Sequence, residues 1–151
     1  MKTFVNLLIR IKFPQVQPIS TAALASWLEQ DGVEKPLLLD TRTKPEYAVS
    51  HLWGAQLVAP DTKDFANLAP LDLPIVTYCS VGYRSAAIAH RLQEAGYTKV
   101  VNLEGSIFQW ANEGRPLYRN DVAVQQVHPY NSRWGRLLHS ELHAYEPQAG
   151  S

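Results

Sequence analysis

PIVTYCSVGYRS, residues Pro74 to Ser85, contains the single cysteine of a 151-residue chain. An apolar, β-branched run, Ile75-Val76-Thr77-Tyr78, leads into Cys79, and the short stretch Ser80-Val81-Gly82-Tyr83 separates Cys79 from Arg84. The run before Cys79 suits a buried strand, because branched side chains pack well on a pleated surface. The run after it, RSAAIAHRLQEAG, suits a helix. Ile88, Leu92 and Ala95 fall at i, i+4 and i+7, and Gly96 stands where a left-handed cap ends a helix. Cys79 is thereby placed at the carboxyl end of a strand, the edge at which open α/β sheets bind ligands.

The same alternation extends outward. PLLLD (Pro36 to Asp40) reads as a second buried strand, KPEYAVSHL as a short helix with Pro45 in its first turn, and AQLVAP as a short strand. After the Cys79 helix come a strand, KVVNL, and a helix, GSIFQWANEG. Upstream, ISTAALASWLEQDG has the marks of a helix capped by Ser20 or Thr21, with Leu24, Trp27 and Leu28 on one face and Gly32 closing it. Strand and helix patterns alternating from Pro36 to Gly114 predict an α/β fold with a central, mostly parallel sheet and helices on both faces.

Two segments lie outside this pattern. Residues 1–18 are set apart by Pro14 and Pro18 and read as a strand or a docking segment. Residues 119–151 read as a polar connection and then an amphipathic helix, with Trp134, Leu138, Leu142 and Tyr145 on one face. That face would pack on the domain, residues 19–118, or on a partner.

Composition narrows the function. Fourteen basic residues balance 14 acidic ones, so no global field draws the chain to phosphate backbones, and nucleic acid is not the expected partner. No stretch approaches the roughly 20 apolar residues of a membrane span. The N-terminal MKTFVNLLIRIKFPQ is broken by Arg10 and Lys12 and has no small-residue cleavage pattern. One cysteine forms no internal disulfide, which agrees with a reducing compartment, and the cytoplasm is the expected location.

A lone cysteine is most often a small buried hydrophobe. The loop at Cys79 offers another reading. A tight turn into a helix gathers backbone N–H groups at the positive end of the helix dipole, which favours a thiolate, the nucleophilic form of the side chain. Arg84 adds a permanent positive charge able to clamp an oxyanion with two hydrogen bonds. His139 and His143 are four residues apart but have no evident third partner, and a surface helix explains them better than a metal.

Three motifs in order give the chain a resemblance to the rhodanese family from about Ile19 to Leu117. CSVGYRS is similar to that family's active-site loop. LLLDTRTKPEYAVSHLWGA is similar to its upstream stretch, and VVNLEGSIFQWANEGRPL to its downstream one. Departures are Thr41, Ser50, Trp53 and Ser106, which replace the valine, glycine, proline and glycine common in the family and bear on local turn geometry.

The resemblance implies a sulfurtransferase. Cys79 would take a sulfane sulfur from a small anionic donor such as thiosulfate, and the resulting persulfide would pass it to cyanide in vitro or to a thiol or protein cysteine in the cell. Ser80, Val81, Gly82, Tyr83, Arg84 and Ser85 would form the substrate loop. The loop amides would stabilise the persulfide, Arg84 would hold the donor's oxyanion, and no metal or organic cofactor would be needed. Asp40 and Arg42 would support the site, either by orienting the loop or as a fold-stabilising pair, while Glu46 and His51 would hold the short helix and its exit turn. Four residues separate Cys79 from Arg84, one fewer than in the phosphatases with a related loop. A rhodanese-fold binding or regulatory module with little turnover is the alternative, with the C-terminal extension available for a homodimer.

Overall fold

The computed structural model describes residues 2–148. Its centre is a five-stranded, wholly parallel sheet: β1 (Gln17–Ile19), β2 (Leu37–Asp40), β3 (Gln56–Leu57), β4 (Ile75–Tyr78) and β5 (Val100–Leu103), in the order β1-β5-β4-β2-β3. β4 is central and buried along its whole length. Asp40 pairs with Tyr78 across β2 and β4, so the segments after both strands leave the sheet at one edge. Cys79 is the first residue beyond β4.

The period-2 alternation of the strands divides the core in two. Leu38, Val76, Tyr78 and Leu103 face α2 (Thr21–Glu29) and α5 (Ser106–Asn112), where Leu24, Ile107, Phe108 and Trp110 complete one cluster. Leu39, Ile75 and Val100 face α4 (Tyr83–Glu94), where Ala86, Ile88, Ala89 and Leu92 complete the other. Ser20 caps α2, its hydroxyl accepting from Ala23 N at 3.0 Å. α3 (Lys44–Val49) begins with Pro45 in its first turn, and Glu46 reaches back to accept from Thr43 N at 3.1 Å.

Three local readings of the sequence are corrected. The N-terminal segment is not a strand: it forms helix α1 (Lys2–Lys12). Its β-branched Thr3, Val5, Ile9 and Ile11 favour a strand locally, but Val5, Ile9 and Phe13 repeat every four residues and turn one helical face inward, where Ile9 and Phe13 join the α4-side core. Pro18 does not end the segment outside the sheet but lies within β1. The missing N–H is tolerated because β1 is an edge strand.

The third correction is the C-terminal amphipathic helix. In its place are an antiparallel hairpin, β6 (Leu117–Arg119) with β7 (Val122–Val124), and two single 3₁₀ turns, Trp134–Leu137 and Ser140–Leu142. The chain beyond Leu138 runs back beside Val127, whose N–H donates to Leu142 O at 2.7 Å and whose carbonyl accepts from Ala144 N at 3.1 Å. This long-range pairing replaces local helical bonds. Leu138, Val124 and Val127 are buried in the α2–α5 core, so the extension packs on its own domain. Among the described residues no helix is long and apolar enough to cross a membrane.

Leu138 tests whether the extension belongs to the cooperative unit. It is 2% exposed, and Leu138→Ala is expected to cost about 2–4 kcal/mol in urea unfolding. A loss well under ~1 kcal/mol would mean that the extension unfolds on its own.

Candidate active site

Cys79 is 1% exposed. The backbone leaves β4, passes Ser80 and Val81, and reverses at Gly82, whose φ is +114°. That turn aims Gly82 N–H at Cys79 Sγ, 3.1 Å away. A side chain at Gly82 would be strained by the backbone angle and would meet Ile9 Cδ1 at 3.3 Å. Ser85, in the first turn of α4, places its hydroxyl 3.4 Å from Sγ and 3.1 Å from Gly82 O. Its single proton serves one or the other, so Ser85 can partner the sulfur or brace the turn from one position.

The turn is held from three sides. Asn102 at the end of β5 donates to Gly82 O at 3.0 Å. Thr77 Oγ1 lies 3.0 Å from Ser85 O and 3.1 Å from Asn102 Oδ1. The N-terminal amides of α5, which have no partners within their own helix, are used on the loop: Ile107 N donates to Cys79 O and Phe108 N to Ser80 O, both at 3.1 Å. Ser106 accepts from Cys79 N at 3.2 Å and donates to Leu103 O at 3.0 Å.

Arg84 is bound in a fork. Its two terminal nitrogens each donate to one oxygen of Glu46 at 2.9 Å, and one also reaches Ser80 Oγ at 2.9 Å. Ser80 in turn donates to Glu46 Oε2 at 3.1 Å. The guanidinium carbon sits 4.4 Å from the centre of the Tyr130 ring, a cation–π arrangement. Burial alone would push the Glu46 carboxyl up. The hydrogen bonds and charge of Arg84, helped by Thr43 and Arg42, outweigh it and bring Glu46 down to about 2. For Arg84 burial opposes the charge, yet Glu46 and the nearby Cys79 hold the guanidinium above its ordinary value.

A cavity of about 280 Å³ opens over Cys79. Ser80, Val81, Tyr83 and Arg84 form its floor, α1 lends Phe4, Val5 and Leu8, and the C-terminal extension lends Tyr130 and Trp134. Taken together, a buried sulfur with N–H and O–H donors aimed at it, at the mouth of a small cavity, can act as a nucleophile and hold negative charge.

Residues 20–113 match the family model described as the rhodanese-like domain. The chain belongs to the rhodanese family. It is 33% identical over 100 residues to the thiosulfate sulfurtransferase GlpE of Pseudomonas fluorescens, covering 66% of this chain and 85% of that one. It is 34% identical over 102 residues to the probable adenylyltransferase/sulfurtransferase MoeZ of Mycobacterium tuberculosis. That match covers 65% of this chain and only 25% of MoeZ, so the chain spans a quarter of that relative's length. Its fold is similar to the crystal structure of a rhodanese-like domain protein from Staphylococcus aureus, with a TM-score of 0.61 and 28% identity over 70% of this chain and all of that one.

Cys79, Ser80, Val81, Gly82, Tyr83, Arg84 and Ser85 lie together where the chain passes from β4 into the first turn of α4, and Cys79, Ser80, Val81, Tyr83 and Arg84 line the cavity. The forked edge of Arg84, however, is engaged by Glu46 rather than left open for a donor's oxyanion. Asp40 and Arg42 do not border the cavity. They form a fully buried pair, Arg42 Nη2 to Asp40 Oδ2 at 2.7 Å, and the same nitrogen donates to Ser50 O at 2.7 Å. His51 stacks on Tyr47, their ring centres 3.9 Å apart, at the exit of α3.

Other residues of the site have no site role in the sequence patterns. Glu46 there belongs only to its helix, and its partnership with Arg84 joins residues 38 positions apart with no local signal. Ser106 carried a signal, a hydroxyl where the family pattern has glycine. Asn102, a polar residue in an otherwise apolar strand, carried another. Phe4, Leu8, Tyr130 and Trp134 come from segments outside the family match.

The Glu46–Arg84 pair makes a pH-dependent contribution to stability. A carboxyl depressed on folding stabilises the folded state above its ordinary value, and the effect is lost as pH falls toward the folded value. Glu46→Gln is expected to be less stable than wild type by about 2–4 kcal/mol near neutrality, since a buried charge loses its partner. The gap should close between pH 4.5 and about 2. Urea midpoints of both proteins across that range would read it, and a gap unchanged in acid would assign the loss to packing instead.

Proposed function

We propose that this rhodanese-like protein is a sulfurtransferase working through a Cys79 persulfide. The observation that carries the reading is the Cys79 sulfur itself, with Gly82 N–H 3.1 Å and Ser85 Oγ 3.4 Å from it, facing a cavity. Relatives named as sulfurtransferases support the same class of chemistry.

In the first half-reaction the Cys79 thiolate attacks the outer sulfur of a donor such as thiosulfate. The Sγ–S bond forms as the donor's S–S bond breaks, and sulfite leaves with the bonding pair. In the second, an acceptor nucleophile attacks the terminal sulfur, the Sγ–S bond breaks, and its electrons return to Cys79. Neither step needs an external oxidant or reductant.

The residues around the sulfur then divide the work. Gly82 N–H and the Ser85 hydroxyl stabilise negative charge at Sγ and at the persulfide. Arg84 supplies positive potential near the sulfur while Glu46 and Ser80 fix its position. Asn102, Thr77 and Ser106 are positioning residues that keep the loop from relaxing away. Asp40 and Arg42 act at a distance, as a buried brace at the end of β2.

The intact mass of the full-length protein, incubated with thiosulfate and no reductant, tests the reading. Wild type is expected to gain one sulfur atom, which cyanide removes, and Cys79→Ala is expected to gain none. A reduced, unmodified wild type after thiosulfate and after a cysteine persulfide donor would sink the proposal and favour a binding module. A gain that persists in Cys79→Ala would place the chemistry elsewhere.

A further inference from the structure

We infer that the second half-reaction delivers sulfur to a small thiol carrying an uncharged, apolar group, and that Phe4 and Leu8 of α1, with Tyr130 and Trp134 of the C-terminal extension, select it. The inference rests on the persulfide reading above and names the acceptor class of that same site.

The first ground is where the cavity walls come from. The family match ends at residues 20 and 113, while Phe4, Leu8, Tyr130 and Trp134 lie beyond it on both sides. Two appendages from opposite ends of the chain thus converge on one sulfur. Their side chains turn the space over Cys79 into a chamber of about 280 Å³, small for a ligand site, and suited to a small molecule.

Charge is the second ground. Among the described residues Arg84 is the one charged residue lining the chamber, and it is held by both oxygens of Glu46 and covered by the Tyr130 ring. A thiol bearing a carboxylate would bring a second anion to a cation already paired. It would lose hydration without gaining a free counterion, a cost that an anionic donor also bears and that a neutral acceptor avoids.

The third ground is exposed apolar surface at the mouth. Phe4 is 63% and Leu8 41% exposed although both border the chamber. An apolar group seated between them and Trp134 removes that surface from water, and this gain is open only to an acceptor that carries such a group. The transfer itself is balanced. The acceptor thiolate attacks the terminal sulfur of the persulfide, the Sγ–S bond breaks, Cys79 recovers its thiolate, and the acceptor leaves as its own persulfide.

The test uses full-length protein loaded with sulfur and followed by intact mass as it discharges to phenylmethanethiol, 2-mercaptoethanol or mercaptoacetate. Each rate is divided by that thiol's rate with a small-molecule persulfide, which removes intrinsic nucleophilicity. The normalised rate for phenylmethanethiol is expected to exceed that for mercaptoacetate by about tenfold or more, with 2-mercaptoethanol between them. The double substitution Phe4→Ser with Leu8→Ser, at exposed positions that do not threaten folding, is expected to cut this advantage below about threefold. Val33→Ser, an exposed apolar position elsewhere, should leave the ratio unchanged.

Equal normalised rates in wild type, as expected of a site that serves a protein thiol through surface contacts, would overturn the inference. So would an advantage that survives the double substitution. These results are distinct from failure of the persulfide reading, in which the protein never gains sulfur at all. Protein that loads and then discharges without preference would defeat the acceptor class alone.

Discussion

The constraint on which this site depends is the reversal at Gly82. The chain must pass from the end of β4 to the start of α4 in a few residues and present an N–H to Cys79 while doing so. With φ at +114°, Gly82 does both, and a Cβ there would be strained and crowded against Ile9. The hydrogen bonds around it follow from that geometry. Asn102 and Ser85 hold the Gly82 carbonyl, Thr77 holds Ser85 and Asn102, and Ser106 with the head of α5 holds the backbone on the Cys79 side. A loop without these partners would have other conformations available, most of which point the N–H away from the sulfur.

Glu46 links this turn to the rest of the sheet edge. One carboxylate starts α3, carries Arg84 and accepts from Ser80. It therefore locks the loop between two helices that are distant in sequence. The same contact changes the electrostatics of the cavity. An unpaired arginine would draw dianions strongly, whereas a paired and stacked one supplies a fixed, weaker potential. Negative charge at the sulfur is then met mainly by oriented hydrogen-bond donors, which need little reorganisation when charge changes there.

Most of the parallel core was legible because its signals are local. Leu37–Asp40 and Ile75–Tyr78 are dense apolar runs, and Ile88 and Leu92 mark a helical face between a glycine turn and Gly96. The loop from Cys79 to Ser85 is contiguous, so its members could be named together. What escaped was decided by distant contacts. Helix α1 is helical because Val5, Ile9 and Phe13 find a surface to cover, and β1 accommodates Pro18 because it lies at an edge. The spacing of Trp134, Leu138 and Leu142 mimics a helix, but only Leu138 is fully buried, and the backbone partners of Val127 decide the path. Glu46 with Arg84, and Tyr130 over Arg84, are side-chain pairings that no window of sequence reveals.

The irregular C-terminal path has a consequence at the site. A continuous helix would hold its residues at regular α-helical angles, whereas Tyr130 sits at φ +69°, a left-handed conformation costly for a bulky side chain. The turn is held locally: Tyr130 N donates to His128 Nδ1 at 3.0 Å, and Asn131 N donates to Pro129 O at 2.8 Å. Asn131 Oδ1 then accepts from Trp134 N at 2.9 Å, setting the turn that brings Trp134 to the chamber. Strain at Tyr130 is offset by the stacking of its ring on Arg84 and by the burial of Leu138 further on. The hairpin and 3₁₀ turns thus give up helical hydrogen bonds and gain the placement of two aromatic rings in the cavity over Cys79. Those rings face α1 across the cavity, so the loop that carries Cys79 belongs to the matched domain and part of the wall around it to the two flanking segments.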